Sequence, residues 1–135
     1  IDSNLRIPIN AKVLNSEAET LVVTVKPSGK KGVNIMVSDA DRGCVDLKKL
    51  MSRLAEREIN DIMVEAGSKL NGALIQAGLI DELVIYMAPK LLGDSAQGLF
   101  HLPALQKMSQ NIALNITDIR AVGSDWRITA SPVYE

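Results

Sequence analysis

The sequence holds one cysteine, Cys44, and one histidine, His101. A lone cysteine excludes a disulfide framework within the chain and a cysteine-based zinc cluster. The histidine lies far from it in sequence, so a bystander thiol is the ordinary reading of Cys44. Aromatic residues make up only 3% of the chain, so any core must be aliphatic, built from Leu, Ile, Val, Ala and Met. An excess of one charge is missing too: 15 basic side chains face 16 acidic ones. That balance argues against bulk electrostatic binding to nucleic acid or to an acidic membrane face. It leaves room for a small anion, which a handful of backbone N–H groups can hold. No apolar run approaches the roughly 20 residues of a membrane helix, and no basic-then-apolar leader opens the chain. A cytoplasmic protein with no membrane and no nucleic-acid partner is expected.

What is present is a globular composition, 47% hydrophobic over 135 residues, enough for one domain with a real core. The chain opens at Ile1, and Ile1-Asp2-Ser3 reads as the tail of a strand. It is therefore read as a single truncated domain, 1–135, cut from or processed out of a longer polypeptide.

Residues 1–19 look irregular, punctuated by Pro8 and by Asn15-Ser16-Glu17. Thr20 to Val25 is a short β-branched strand stopped by Lys26-Pro27-Ser28-Gly29, and Val33 to Val37 is a second candidate. Leu47, Leu50, Met51, Leu54 and Ala55 fall on one stripe of a helix, with Asp46 placed as N-cap and an end expected near Glu58. Asp61-Ile62-Met63-Val64 reads as a short buried strand. After Gly67 the spacing of Leu70, Ala73, Leu74 and Ala77 is helical again, and Gly78 is a natural stop. Glu82 to Ala88 is an almost continuous apolar strand, which implies burial on both faces and a central position. This strand–helix alternation predicts a parallel sheet with right-handed crossovers. The last third differs: Leu114–Val122 and Trp126–Val133 flank Gly123-Ser124-Asp125 as a hairpin, with a slip of alternation near Asp118 that suggests a bulge. The fold class expected is α/β: a mixed, mostly parallel sheet flanked by helices, ending in an antiparallel hairpin.

The stretch that carries chemistry is Asn60 to Gly72. A strand ends in a carboxylate, Glu65; a turn bearing Gly67 follows; a helix opens at once. Free N–H groups and the helix dipole attract anions such as a pyrophosphate. Gly67, without a Cβ, permits close backbone approach, and Ser68 and Lys69 add a hydroxyl and a positive charge. The carboxyl end of a strand is where ligands of open α/β sheets sit. Many such turns hold nothing, and the G-x-G-x-x-G fingerprint is absent, so physics alone leaves both readings open.

The residues also resemble a known family. Val64-Glu65-Ala66-Gly67, Leu70-Asn71-Gly72-Ala73-Leu74, Ala77-Gly78-Leu79-Ile80-Asp81-Glu82-Leu83, Ala88-Pro89-Lys90-Leu91-Leu92-Gly93 and Gly98-Leu99-Phe100 are similar to the reductase domain of the bifunctional riboflavin-biosynthesis deaminase/reductase. Ile1-Asp2-Ser3, with Arg6 and Pro8, resembles an earlier strand end of that domain. The resemblance implies a dihydrofolate-reductase-like fold and an NADPH-dependent reduction of 5-amino-6-(5-phosphoribosylamino)uracil to its ribitylamino product. It implies that Glu65 contacts the substrate near the nicotinamide. It implies that Gly67, Ser68, Lys69, Leu70, Asn71, Gly72 and Ala73 hold the cofactor's phosphate region, with Ser3 as a further cofactor candidate. A homodimer, and a deaminase domain in the parent chain, are implied as well. Ser68-Lys69 depart from the family's usual Pro or Gly followed by Thr. The domain's N-terminal part, which supplies a lysine and other contacts, is missing, so the piece alone is expected to fold partly, bind weakly and be inactive. The H-x-E and P-C-x-x-C segments of zinc deamination do not occur.

Other residues read plainly. His101 reads as a surface or structural histidine, and Trp126 as buried or at a subunit interface. Asp39, Asp41 and Arg42 form a solvated turn, and Lys90 is either a cleft lysine or a solvated loop residue. Two functions compete. One is a hydride-transferring enzyme domain. The other is a non-catalytic oligomerisation or ligand-sensing module descended from it, in which the hairpin and Leu99-Phe100 pair subunits.

Overall fold

A computed structural model describes residues 1–15, 17–27, 30–103 and 105–134. Residue contacts divide the chain into two compact units, Ile1–Ile62 and Met63–Glu135.

In the first unit, β1 (Val22–Thr24) and β2 (Ile35–Val37) pair in parallel, Val23 opposite Met36. Both expected strands are there, β1 trimmed at both ends and β2 at its start only. The opening residues run beside β1: the Asp2 N–H donates to the Val23 carbonyl at 2.8 Å, and the Val25 N–H donates to the Ser3 carbonyl at 3.3 Å. Ile1-Asp2-Ser3 thus bonds as a strand tail does. The short strands β3 (Ala40–Asp41) and β4 (Cys44–Val45) form an antiparallel pair around Arg42 and Gly43, both at positive φ. Asp41, Arg42 and Cys44 are exposed, as a solvated turn requires.

The helix α1 (Leu47–Ala55) starts where Asp46 supplies the cap: its carboxylate accepts the Lys49 N–H at 3.1 Å. It ends earlier than the apolar spacing suggested. Glu58 takes a left-handed φ of 62°, its N–H bonds to the Ala55 carbonyl, and the Ile59 N–H reaches back to Leu54. Such a closure satisfies the last carbonyls of the helix. The stripe read from the sequence is the buried side: Leu50 is 1% exposed and packs with Val23, Met36 and Val45, flanked by Met51 and Leu54. Asp46→Ala is expected to lower stability by about 1 kcal/mol by orphaning the Lys49 N–H. A urea unfolding midpoint unchanged by the substitution would remove that cap from the account.

The second unit holds α2 (Ser68–Gln76), β5 (Leu83–Met87), β6 (Ala113–Val122) and β7 (Asp125–Val133). The strands form one antiparallel sheet in the order β5-β7-β6. The hairpin and its turn at Gly123 lie where the sequence placed them, and the register shifts between Ile116 and Asp118, the expected bulge. Tyr134 ties the connection between α2 and β5, its hydroxyl donating to the Ile80 carbonyl at 3.0 Å.

Two expectations are corrected here. Asp61–Val64 is not a buried strand: no ladder forms over residues 61–67, and Ile62, Met63 and Val64 are exposed by 44%, 85% and 38%. An apolar run specifies a preference for burial but supplies no partner for its own N–H and C=O groups, and none of the described strands pairs with it. Likewise β5 is not central. It pairs only with β7 among the described strands, antiparallel, and Val84, Tyr86 and Met87 are exposed. The α/β class and the antiparallel hairpin stand, while parallel pairing among the described strands is confined to β1 and β2. Trp126, expected buried or at an interface, is 46% exposed.

Candidate functional site

Glu65, Ala66 and Gly67 lead into α2 without regular structure. Glu65 and Gly67 are exposed and Ala66 is half-buried. Gly67 is the N-cap, with φ −83° and ψ 168°, and no side chain caps this helix end. The first intrahelical bond is taken by the Asn71 N–H, which donates to the Gly67 carbonyl at 3.1 Å. The earlier N–H groups, at Ser68, Lys69 and Leu70, have no acceptor within the helix. The first turn carries no acidic side chain that would neutralise the positive end of the helix. Lys69 is exposed there, and Ser68 and Leu70 are half-buried.

The two glycines of this stretch do different things. Around Gly67 nothing lies within 4 Å of the position a Cβ would occupy. Gly72 is buried, and the corresponding position falls 2.1 Å from the backbone carbonyl oxygen of His101. The Leu99–His101 segment therefore lies directly on the helix. Its contacts continue on either side: the His101 N–H donates to the Ser68 carbonyl at 2.9 Å, and the Asn71 side-chain amide donates to the Leu99 carbonyl at 3.3 Å. The same amide donates to the Ala66 carbonyl at 3.2 Å.

Glu65 and the run from Gly67 to Ala73 thus gather at one helix start. Within the run, Glu65, Gly67, Ser68 and Lys69 are open to a ligand. The bare face of Gly72 and the carboxamide of Asn71 are occupied by the chain itself. Ser3 lies in the other unit, where its hydroxyl accepts the Val45 N–H at 3.1 Å and its carbonyl accepts the Thr24 hydroxyl at 3.1 Å. Thr24 is fully buried by that arrangement. The sequence reading did not foresee the Leu99–His101 bracket. The sequence signalled close packing but not its partner: Asn and Gly adjacent inside a helical pattern are both poor helix formers, which points to a packing reason. His101 acts through its backbone, and its side chain is exposed, as is Lys90 in its loop.

An open helix start with unbonded N–H groups and one lysine suits an oxyanion of a phosphate ester, and an exposed carboxylate two residues earlier suits a polar group with hydrogen-bond donors. Among the described residues no group of three or more His, Cys, Asp or Glu side chains is placed to hold a metal ion. No helix among them is long and apolar enough to cross a membrane.

Comparison with known proteins places these features in a family. The model of the RibD C-terminal domain matches residues 1–128. The riboflavin biosynthesis protein RibD of Escherichia coli (strain K12) is 39% identical over 128 residues, which cover 93% of this chain and 35% of that protein. The 5-amino-6-(5-phosphoribosylamino)uracil reductase of Buchnera aphidicola subsp. Acyrthosiphon pisum is 31% identical over 135 residues, covering 98% of this chain and 65% of that protein. Among solved structures, RibD of Acinetobacter baumannii superposes with a TM-score of 0.85 at 31% identity, over 98% of this chain and 36% of that one. The chain spans about a third of the length of these RibD relatives.

Proposed function

This chain belongs to the RibD C-terminal domain family, and from that membership we propose that its parent protein reduces 5-amino-6-(5-phosphoribosylamino)uracil to the ribitylamino product, using NADPH. The names of its relatives support the reaction. The two compact units are read as parts of one reductase domain, because the family match runs from residue 1 to 128 through both.

The observation that carries the reading is the open start of α2. Its first turn has no side-chain cap, its N-cap glycine faces empty space, and the exposed Glu65 precedes it. These residues fit a dinucleotide: the N–H groups of Gly67, Ser68 and Lys69 with the Lys69 ammonium take the pyrophosphate. Leu70, Asn71, Gly72 and Ala73 shape that turn from behind, and Ser3 is a second candidate contact. When bound, NADPH supplies the hydride that reduces C1 of the opened ribose at the imine or carbonyl level. Glu65 holds the pyrimidine substrate beside that carbon by accepting its hydrogen bonds. The parent protein is read as a cytoplasmic homodimer that carries a deaminase domain.

The test is Gly67→Val in the full-length parent protein. The φ of −83° is one that any L residue adopts, and a side chain there meets nothing. The fold should therefore be kept, at a cost of about 1 kcal/mol for a β-branched residue at an N-cap, while NADPH affinity, followed by nicotinamide fluorescence, should fall on the order of tenfold or more as backbone donors are screened. Unaltered affinity would leave the turn as architecture and sink the assignment.

A further inference from the structure

We infer that Asn71 is a positioning residue that aims the N–H groups of the Gly67 turn at the nucleotide; the inference rests on the NADPH reading above. Asn71 grips the turn twice. Its backbone N–H donates to the Gly67 carbonyl at 3.1 Å, and its side-chain amide donates to the Ala66 carbonyl at 3.2 Å. These two carbonyls belong to the peptide units on either side of Gly67. A peptide unit is planar, and in the trans form its N–H points opposite to its C=O; the described chain contains no cis peptide bond. Holding the Ala66 carbonyl therefore fixes where the Gly67 N–H points, and holding the Gly67 carbonyl fixes the Ser68 N–H. One residue sets the direction of two consecutive donors.

The first of these units needs the help. The second bond is part of every helix start, but the Ala66–Gly67 unit lies before the helix, next to a residue whose backbone rotates freely for want of a Cβ. Without a partner that unit samples several orientations, and a ligand must order it on binding at an entropic cost. The carboxamide of Asn71 is itself held: its second hydrogen is taken by the Leu99 carbonyl at 3.3 Å. Both bonds fit one amide nitrogen, which carries two hydrogens. The Leu99–His101 segment is in turn seated by the His101–Ser68 bond and by the close approach at Gly72. An asparagine inside a helix is otherwise disfavoured, because its side chain competes for backbone groups; here the competition is what fixes the turn.

The experiment uses the full-length parent protein with Asn71→Leu, which keeps volume and raises helix propensity, and Asn71→Ala beside it. NADPH dissociation constants are read by nicotinamide fluorescence, folding by urea midpoint, and turnover at saturating NADPH. Both variants are expected to weaken NADPH binding by roughly tenfold, the loss of one aligned donor. KM for NADPH should rise by the same factor while kcat stays within about twofold, the signature of lost ground-state binding. A role confined to anchoring the loop predicts the reverse: a lowered urea midpoint with an unchanged dissociation constant, and that result overturns the inference. A weaker affinity that merely follows the fraction unfolded overturns it too. Absence of NADPH binding by the unsubstituted protein overturns the functional reading first, so the two failures are distinguishable.

Discussion

Gly72→Ala will destabilise the protein, although the same exchange inside most helices stabilises it. Helix propensity alone favours alanine by about 1 kcal/mol. Against that stands the carbonyl oxygen of His101, 2.1 Å from the incoming methyl, with the His101 carbonyl carbon at 2.9 Å and its nitrogen at 3.1 Å. All three are backbone atoms, which cannot rotate aside as a side-chain tip can. The Leu99–His101 segment must lift, stretching the His101–Ser68 bond and the Asn71–Leu99 bond. Overpacking of this kind costs about 1–3 kcal/mol, and a lost hydrogen bond adds about 1 kcal/mol. The sum exceeds the propensity gain, so the urea midpoint should fall by an amount equivalent to roughly 1–3 kcal/mol. A midpoint that rises would mean that the segment does not lie on the helix.

Glu65→Gln has the larger consequence for activity. The side chain is exposed and has no hydrogen-bond partner among the described residues, so stability should change by less than about 0.5 kcal/mol. If Glu65 holds the substrate through charge-assisted hydrogen bonds, their loss lowers kcat/KM for the pyrimidine on the order of 100-fold. NADPH affinity should hold, because the turn donors come from Gly67 onward. Turnover equal to that of the unsubstituted enzyme would take Glu65 out of the substrate's contacts. Together with Gly67→Val the experiment separates two neighbouring residues into two readouts, substrate turnover and nucleotide binding.

Local pattern carried the parts of the fold that local energetics decide. The stripe Leu47-Leu50-Met51-Leu54 and the carboxylate of Asp46 specify where α1 starts and which face it buries, though not its end, because a cap and a buried face act within a few positions. The hairpin and its bulge near Asp118 were legible for the same reason: the turn at Gly123 and the alternation on either side fix the register between them. Pairing partners were not legible. Ile62-Met63-Val64 and Leu83–Met87 are equally apolar runs, yet one forms no ladder and the other joins β7 antiparallel. Which strand lies next to which depends on long-range contacts that no short window contains. The same limit applies at the site. The open turn at Gly67 was visible from a strand-like run, a glycine and a helix start, all contiguous. The bracket from Leu99 to His101 was not, since it lies about thirty residues further along the chain. Asp118 and Arg120, two residues apart on β6, meet at 2.7 Å, and that hydrogen bond raises the Arg120 guanidinium above its ordinary value. On so exposed a pair the contribution to stability is small, and the guanidinium is charged with or without it.

The seat of His101 on α2 has a kinetic consequence. Residues in irregular segments exchange their amide hydrogens with solvent quickly, since such segments open at little free-energy cost. The His101 amide departs from this through its hydrogen bond to Ser68 on α2. It exchanges only when the segment detaches from the helix, so its protection reports the free energy of that detachment in the resting protein. Deuterium uptake at this one amide becomes a gauge of how firmly the bracket behind the Gly67 turn is seated, readable in the absence of any nucleotide.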